Sequence, residues 1–312
     1  MLLLMTVMFI GMAVSSVAVG VHTSKSAGNS AVALIIYCLL NTVILAVFIM
    51  NSRLRGIKLM GTVFIIFWGI QYLMTQIETL YFNAAVKMPV KEVITVVVSG
   101  ALSALIFSFF AVLILSRFKK DKGFMDKGSL GKLPLDKLFK DAVVLSLSYV
   151  FIYFIFGYFV AWQFADVRYY YTGSTEIMNF FQHMANQLKS DSLLPVFQIF
   201  RGLLWTGLSI LIFAALERKG WKTYIITGML FSVLISSTLV FPNDYMPAAV
   251  RFAHSIELFS SMFLFGVLSR AVFISSYNIN NLNQRKLIHN NTAELGHPTM
   301  NVQETATLTA EK

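Results

Sequence analysis

Cysteine is almost missing from this chain, and its one cysteine, Cys38, lies inside an apolar run. A single cysteine excludes an intrachain disulfide, a cysteine-based zinc site and an iron–sulfur cluster held by one chain. Charged residues are also scarce, at 13% of the 312 residues, whereas apolar residues make up 57%. A soluble domain of this length needs a much more polar surface. With a mean hydropathy of +0.70, the composition predicts an integral membrane protein.

Motifs that carry chemistry are missing as well. The sequence has no P-loop, no glycine-rich dinucleotide fingerprint, no nucleophile elbow and no paired-histidine zinc motif. His254 and Glu257 share a helical face, as residues of helical di-metal sites do, but a second Glu-x-x-His element is missing. We therefore predict no metal and no cofactor. The net charge of +10 does not indicate a nucleic-acid partner, because the basic residues lie in short loops between apolar runs.

Eight apolar runs are long enough to cross a bilayer, which needs about 20 residues per helix. Their residues are continuously apolar and do not alternate, which favours helices over a barrel. The predicted fold is all-α, a polytopic helical bundle in the lipid bilayer with short amphipathic surface helices. The predicted spans 1 to 8 are 1–21, 31–50, 59–77, 93–115, 142–164, 196–215, 223–241 and 248–273. The first run resembles a signal peptide in length, but it lacks a basic n-region, so a retained helix is predicted.

The lysines and arginines of the loops alternate along the chain. The segments 51–58, 116–141, 216–222 and 270–312 hold 18 of them, and the intervening loops hold 5. By the positive-inside rule, both termini are predicted to be cytoplasmic. Short loops and the near-absence of cysteine favour a bacterial cytoplasmic membrane.

Two loops carry apolar stripes, and the C-terminal end is polar. Residues 130–141 predict a short helix on the membrane surface, and the basic 116–141 loop predicts contact with anionic lipid. Residues 174–189 predict a second surface helix, capped by Ser174, that serves as packing or as a cover over an outer pocket. A transmembrane domain over 1–273 is thus followed by a tail, 274–312, predicted to be disordered.

Ionisable residues inside spans are costly and need partners, so they are the most informative ones. In span 8, Arg251, His254 and Glu257 follow one another at a spacing of three and share one face. At 1.5 Å per residue, Glu257 lies about 13–14 Å from the outer end of this span, close to the bilayer midplane. Arg201 of span 6 is its predicted partner, and His254 is the second choice.

The polar residues of the spans fall in the predicted outer half of the membrane, whereas the cytoplasmic halves are almost purely apolar. This one-sidedness predicts a polar pocket between spans 3, 5, 6 and 8 that opens outward. The candidate ligand-binding residues are Arg201, Arg251, His254, Glu257, Gln198, Gln71 and Gln163. Two arginines against one glutamate would suit an anionic group.

Three functions are consistent with this pattern. The first is binding or transport of a small anionic or lipid-linked ligand, with Glu257 as a proton-linked or charge-balancing group. The second is an intramembrane enzyme that uses His254 and Glu257 as acid and base. The third is a structural, assembly or sensory protein whose buried charges only fix helix packing.

Small residues recur in span 4. Ser99, Gly100, Ser103 and Ala104 form two overlapping small-xxx-small patterns. Such patterns allow close helix contact, so span 4 is predicted to pack against another helix or against a second protomer in a homo-oligomer.

Overall fold

The fold is described by a computed structural model that covers residues 1–19, 30–118, 135–217 and 220–295. Eight helices in these segments are long and apolar enough to cross a membrane. Spans 1 to 8 are Leu2–Val19, Ala31–Asn51, Gly56–Tyr81, Val90–Ile114, Leu135–Gln163, Leu194–Ala215, Lys222–Val240 and Ala248–Asn280. The eight helices match the eight predicted runs, so the prediction of an all-α polytopic membrane protein is confirmed.

The spans pack as a ring. Neighbouring spans contact each other in the order 1, 4, 3, 6, 5, 8, 7, 2 and back to 1. Contacts across the ring join spans 6 and 8, spans 3 and 7, and spans 2 and 3. Spans 3, 6, 5 and 8 are therefore consecutive in space although they are distant along the chain. Loops 82–89, 160–193 and 241–247 lie at what we call the predicted outer end of this bundle.

Two glycines allow close helix crossings, one between spans 7 and 8 and one between spans 5 and 6. A Cβ atom on Gly266 of span 8 would lie 2.8 Å from the Cα atom of Gly228 in span 7. A Cβ atom on Gly202 of span 6 would lie 2.7 Å from the Cα atom of Ser146 in span 5. Because the obstructing atoms belong to the backbone, only glycine permits these separations.

The predicted inner end, at loops 52–55 and 115–118 and at residues 216, 217, 220 and 221, is stabilised by arginine side chains. Nη2 of Arg53 donates to the carbonyl oxygen of Ala214 at 2.8 Å. Arg270 donates to the carbonyl of Glu217, and Arg117 donates to the carbonyl of Ser52. These carbonyls lie at or next to helix C-termini, where the helix dipole is negative and the last carbonyls lack intrahelical partners.

The predicted inner halves of the spans are less apolar than the sequence indicated. Asp141 of span 5 is buried, and its Oδ1 accepts a hydrogen bond of 2.7 Å from Oγ of Ser276 in span 8. Arg270, also in span 8, is 1% exposed. The sequence pattern underestimated the polarity of this end, because both residues fall at the edges of the basic segments 116–141 and 270–312 and not inside a predicted polar site.

The surface segments differ from the predictions in two places. Residues 135–141 form the first turns of the continuous helix Leu135–Phe159 and not a separate surface helix, because their apolar stripe continues in phase into span 5. The rest of the basic loop, 119–134, lies outside the described residues. The second surface helix is Phe180–Ser190, and its cap is Asn179, whose Oδ1 accepts a hydrogen bond of 3.0 Å from the Gln182 amide. Ser174 instead accepts one from the Glu176 amide in the preceding turn.

The last helix also extends further than predicted. It runs over Ala248–Leu295, so residues 274–295 are helical, whereas the sequence predicted a disordered tail from residue 274. Neither glycine nor proline interrupts these residues, and Gly296 follows the last helical position. The remainder of the predicted tail, 296–312, lies outside the described residues.

The small residues of span 4 pack within the chain. A Cβ atom on Gly100 would overlap the ring of Tyr72 in span 3. On the other side, Gly11 of span 1 approaches the backbone oxygen of Ser103 closely, with its Cβ position at 3.5 Å. Of the two predicted partners, a helix of the same chain therefore covers this stripe.

Candidate functional site

Arg201 of span 6 forms a two-pronged ion pair with Glu78 of span 3. Nη1 and Nη2 of Arg201 each donate a hydrogen bond of 2.8 Å to a different oxygen of the Glu78 carboxylate. Nη1 also donates to Oε1 of Gln198 at 3.1 Å, one helical turn away. The predicted Arg201–Glu257 pair is therefore wrong. Spans 3 and 6 are ring neighbours, and this contact brings Glu78, one turn before the end of its span, against Arg201.

Aromatic rings surround the Arg201 guanidinium. Its central carbon lies 5.7 Å from the centroid of Tyr149 in span 5 and 5.8 Å from that of Phe197 in span 6. The ring of Phe197 stacks on Tyr81 at a centroid distance of 3.8 Å, and the Tyr81 hydroxyl donates to the carboxylate of Asp191. These contacts hold the guanidinium in one orientation and add cation–π attraction to the ion pair.

Glu257 of span 8 belongs to a second hydrogen-bonded chain. Its Oε2 lies 3.3 Å from Nδ1 of His254, and Nε2 of His254 lies 3.3 Å from the hydroxyl of Tyr171. The second-choice partner, His254, is thus the one that Glu257 has. Tyr171 belongs to the short helix Ala165–Thr172 at the predicted outer end. Burial raises the pKa of Tyr171, so its hydroxyl stays protonated and can donate to the histidine.

One small cavity separates the two carboxylates. Its lining includes Glu78 of span 3, Tyr149 and Tyr153 of span 5, and Glu257 and Ser261 of span 8. The cavity holds about 10 Å³, roughly the space of one water molecule. Neither Arg201 nor His254, the partners of the two carboxylates, is among the residues that line it. Two acidic residues and two tyrosines therefore line one cavity inside the bundle.

Arg251 does not join this cluster. Its Nη1 donates a hydrogen bond of 2.7 Å to the carbonyl of Met246, so its charge stabilises the loop before span 8. Arg201, in turn, is neutralised by Glu78. The predicted surplus of positive charge therefore does not face the cavity, and the argument for an anionic ligand loses its basis.

Gln71 lies in a different polar cluster. Its Nε2 donates to Oγ of Ser237 in span 7 at 3.1 Å, and Nδ2 of Asn41 in span 2 donates to the same oxygen at 3.1 Å. Gln71 sits in a π-helical segment, Gly69–Leu73, that interrupts span 3. One extra residue in the turn rotates the face of the helix, which aims Gln71 at span 7 instead of at the cavity.

Gln163 is the third predicted residue outside the cluster. It is exposed, and its Nε2 donates a hydrogen bond of 2.8 Å to the carbonyl of Tyr158, in the last turn of the helix Leu135–Phe159. The nearby Arg168 is buried and donates to the carbonyls of Thr175, Trp162 and Gln163. This end of span 5 is therefore a fixed loop that holds the Tyr171 helix in place.

Sequence reasoning missed Glu78, Tyr149, Tyr153 and Tyr171 as site residues. The predicted span 3 ends at residue 77 and leaves Glu78 just outside it, whereas the helix continues to Tyr81. No spacing pattern in the sequence distinguishes the three tyrosines from the other aromatic residues of the chain, in which phenylalanine, tryptophan and tyrosine together make up 14%. The signal that indicates Glu78 is its depth, because a carboxylate one turn inside a span needs a cationic partner on a neighbouring helix.

The described residues contain no cluster of three or more histidine, cysteine or acidic side chains that could hold a metal ion. Comparison of the chain with protein-family models, with curated proteins and with solved structures gives no match.

Proposed function

We propose that this chain binds and transports a small monovalent cation at the cavity between Glu78 and Glu257, which has room for a group about the size of one water molecule. The observation that supports this proposal is the convergence of two carboxylates and two tyrosine rings on one cavity inside a membrane bundle. Carboxylates attract cations, and tyrosine faces add cation–π attraction. Polar groups of this kind are costly inside a membrane and mark ligand or ion pathways.

The charge balance favours a cation over an anion. Both terminal nitrogens of Arg201 bind the Glu78 carboxylate, so this pair is neutral as a unit. Glu257 is paired with His254, which is a cation only when it is protonated. The neutral form of His254 leaves the cavity with one net negative charge. A positively charged ligand or a proton would balance this charge.

The Tyr171–His254–Glu257 chain supports a proton-linked mechanism. It connects the cavity with the helix Ala165–Thr172 at the predicted outer end. Beyond Tyr171, the ring of Trp162 stacks at a centroid distance of 6.4 Å, and His183 of the Phe180–Ser190 helix lies 4.4 Å from Trp162. In our proposal Glu257 exchanges its proton through this chain, and the Phe180–Ser190 helix covers the route.

Membrane orientation is part of the proposal. The split of 18 basic residues against 5 supports cytoplasmic termini in a bacterial cell membrane, and the basic 116–141 loop would then meet anionic lipid. Single cysteines at Ser190 and Gly220 test this orientation, because the native Cys38 is buried. A membrane-impermeant maleimide added to intact cells should label Ser190→Cys and not Gly220→Cys, and the reverse result would invert the topology.

Transport is tested with the rubidium ion, a monovalent cation that is close to a water molecule in size and crosses lipid poorly. Proteoliposomes with the wild-type chain should show saturable uptake, and Glu257→Gln should reduce it at least tenfold. Glu176→Gln, an exposed carboxylate in the loop before the Phe180–Ser190 helix, is the matched control and should transport normally.

Two results would overturn the proposal. Saturable, Glu257-dependent uptake of acetate instead of rubidium would restore the prediction of an anionic ligand. No uptake of either probe, with Glu257→Gln lowering only the free energy of unfolding, would indicate that the buried charges serve helix packing alone.

A further inference from the structure

The surface helix Phe180–Ser190 is fixed at both ends to the outer ends of membrane spans. At its start, the ring of Phe180 stacks on that of Phe159, in the last turn of the long α-helix of span 5, at a centroid distance of 5.4 Å. At its end, the carboxylate of Asp191 accepts a hydrogen bond of 2.8 Å from the hydroxyl of Tyr81, the last residue of span 3. Because both ends lie at the level where spans leave the bilayer, the helix runs along the membrane surface.

Three stripes run along this helix, each with a spacing of three or four residues. The half-buried stripe faces the bundle and consists of Phe180, His183, Met184 and Gln187. The exposed apolar stripe consists of Phe181, Ala185 and Leu188. The exposed polar stripe consists of Gln182, Asn186 and Lys189. At 3.6 residues per turn, the first two stripes adjoin, and the polar stripe lies opposite the boundary between them.

The exposed apolar stripe continues a surface that already faces lipid. Phe181 is 81% exposed and Leu188 is 43% exposed. The next exposed large apolar residues along the chain are Leu193 and Val196, at the start of span 6, and Phe159 is exposed at the end of span 5. Exposed apolar residues of membrane spans face hydrocarbon. The stripe therefore extends the lipid-facing surface of spans 5 and 6 beyond their ends.

We propose that the Phe180–Ser190 helix is an in-plane membrane anchor that inserts Phe181 and Leu188 into the leaflet at the predicted outer end. Amphipathic helices with aromatic and leucine side chains on the apolar side bury that side about 5–10 Å into the boundary between headgroups and acyl chains. Lys189, in the polar stripe, would then lie among the lipid phosphates. The stripe adjoins the face that holds His183 beside Trp162, so lipid contact also keeps the helix on the bundle.

The size of the stripe favours lipid over a protein partner. The helix has 11 residues and is about 16 Å long at 1.5 Å per residue, and two large side chains supply most of its exposed apolar surface. A specific protein interface buries about 800 Å² on each partner, which a stripe of this size does not offer. Lipid needs no such area, because each apolar side chain that leaves water contributes separately.

The anchor is tested with a nitroxide spin label on single cysteines of the full chain in liposomes. Oxygen concentrates in the bilayer, whereas nickel ethylenediaminediacetate stays in water, so the ratio of their collision rates reports the surroundings of each label. This ratio should be about threefold higher, or more, for Phe181→Cys and Leu188→Cys than for Gln182→Cys and Asn186→Cys. All four positions are exposed, so the substitutions should leave the fold intact. The native Cys38 is buried, and the wild-type chain measures its background.

Two reference positions calibrate the ratio. Leu203→Cys reports lipid, because Leu203 is 46% exposed in span 6, and Glu176→Cys reports water, because Glu176 is exposed in the loop before the helix. Labels at 181 and 188 should match the lipid reference, and labels at 182 and 186 should match the water reference.

Three results would overturn the anchor. If the labels at 181 and 188 match the water reference, the stripe lies in water. If neither collider reaches them, protein covers the stripe, as in contact with a second copy of the chain. If all four labels match the lipid reference, the helix has no water-facing side. The inference does not depend on ion transport, so the collision ratios should be unchanged by Glu257→Gln, whatever that variant does to rubidium uptake.

Discussion

Arg201 and Glu78 lie 123 positions apart in the chain, and yet both terminal nitrogens of the guanidinium meet both oxygens of the carboxylate at 2.8 Å. The Arg201 side chain is 1% exposed, and the Glu78 side chain is 26% exposed. Burying such a pair gives little net stability, but removing one partner leaves a charge without compensation inside the bundle. The pair therefore fixes how spans 3 and 6 meet.

We predict that Arg201→Met lowers the free energy of unfolding by about 3 kcal/mol. This is the low end of the ~3–5 kcal/mol cost of breaking a buried pair, because the remaining Glu78 carboxylate is partly exposed. The double variant Arg201→Met/Glu78→Leu should regain most of the loss, since no unpaired charge remains. Denaturant titration in mixed micelles measures these differences.

The control for this pair is Lys189→Met, at an exposed position, which should change the free energy of unfolding by less than about 0.5 kcal/mol. If the double variant is less stable than Arg201→Met alone, the two side chains are not coupled in the way the geometry indicates.

The crossing of spans 7 and 8 gives a second prediction. Gly266→Ala places a methyl group 2.8 Å from the Cα atom of Gly228 and from the carbonyl oxygen of Thr227. Backbone atoms cannot yield locally, so overpacking should cost about 1–3 kcal/mol. Gly207→Ala in span 6 meets nothing within 4 Å and should instead stabilise the helix by roughly 0.5–1 kcal/mol. In unfolding titrations, Gly266→Ala should lower the free energy of unfolding and Gly207→Ala should raise it. Equal changes in the two variants would contradict the close crossing of spans 7 and 8.

The spans could be predicted from the sequence because membrane insertion depends on local composition. A window of about 20 apolar residues crosses a bilayer whatever its neighbours are. The predicted ends of spans 3 and 8 were wrong by several residues for a related reason. Polar residues such as Glu78 and Asn280 continue these helices in the structure, where neighbouring spans shield them. A hydropathy window ends a span at such residues.

The contacts of the site could be predicted only within one helix. The His254–Glu257 pair follows from a spacing of three on a single helix. The Arg201–Glu78 pair depends on the ring order, which one sequence does not encode in any local pattern. Arg251 illustrates the same limit, because its position in span 8 suggested the cavity, whereas its side chain turns back to the Met246 carbonyl. The rotation of each helix about its own axis and the order of the helices in the ring determine which of these contacts form.

The Phe180–Ser190 helix gives a prediction about pH. Burial beside Trp162 lowers the pKa of His183 below its ordinary value of about 6.5, because the charged form is poorly solvated there. The unfolded state therefore binds this proton more readily than the folded state. The stability that neutral His183 contributes is fully present above about pH 6.5 and is lost as the pH falls towards the folded pKa.

The pKa is measured by NMR titration of the protein labelled with ¹³C-histidine, in which His183→Gln identifies the resonance that disappears. The resonance assigned to His183 should titrate below pH 6.5. A midpoint at or above this value would show that the ring is not buried against Trp162, and the Phe180–Ser190 helix would then not be held over the site in the way we describe.

The Ser237 hydroxyl joins two buried amides and gives the last prediction. It accepts hydrogen bonds of 3.1 Å from Asn41 and from Gln71, so one oxygen ties spans 2 and 3 to span 7. Ser237→Ala leaves both amide groups without this partner in a region closed to water, which should lower the free energy of unfolding by about 1–3 kcal/mol. The control Ser255→Ala removes a hydroxyl that donates only to the Arg251 carbonyl of its own helix, at 2.8 Å. This variant should change the free energy of unfolding by only a few tenths of a kcal/mol. If the two variants lose equal stability, Ser237 acts as an ordinary helical serine. A larger loss in Ser237→Ala alone would instead show that the polar residues of spans 2, 3 and 7 hold the bundle together independently of the charged cavity.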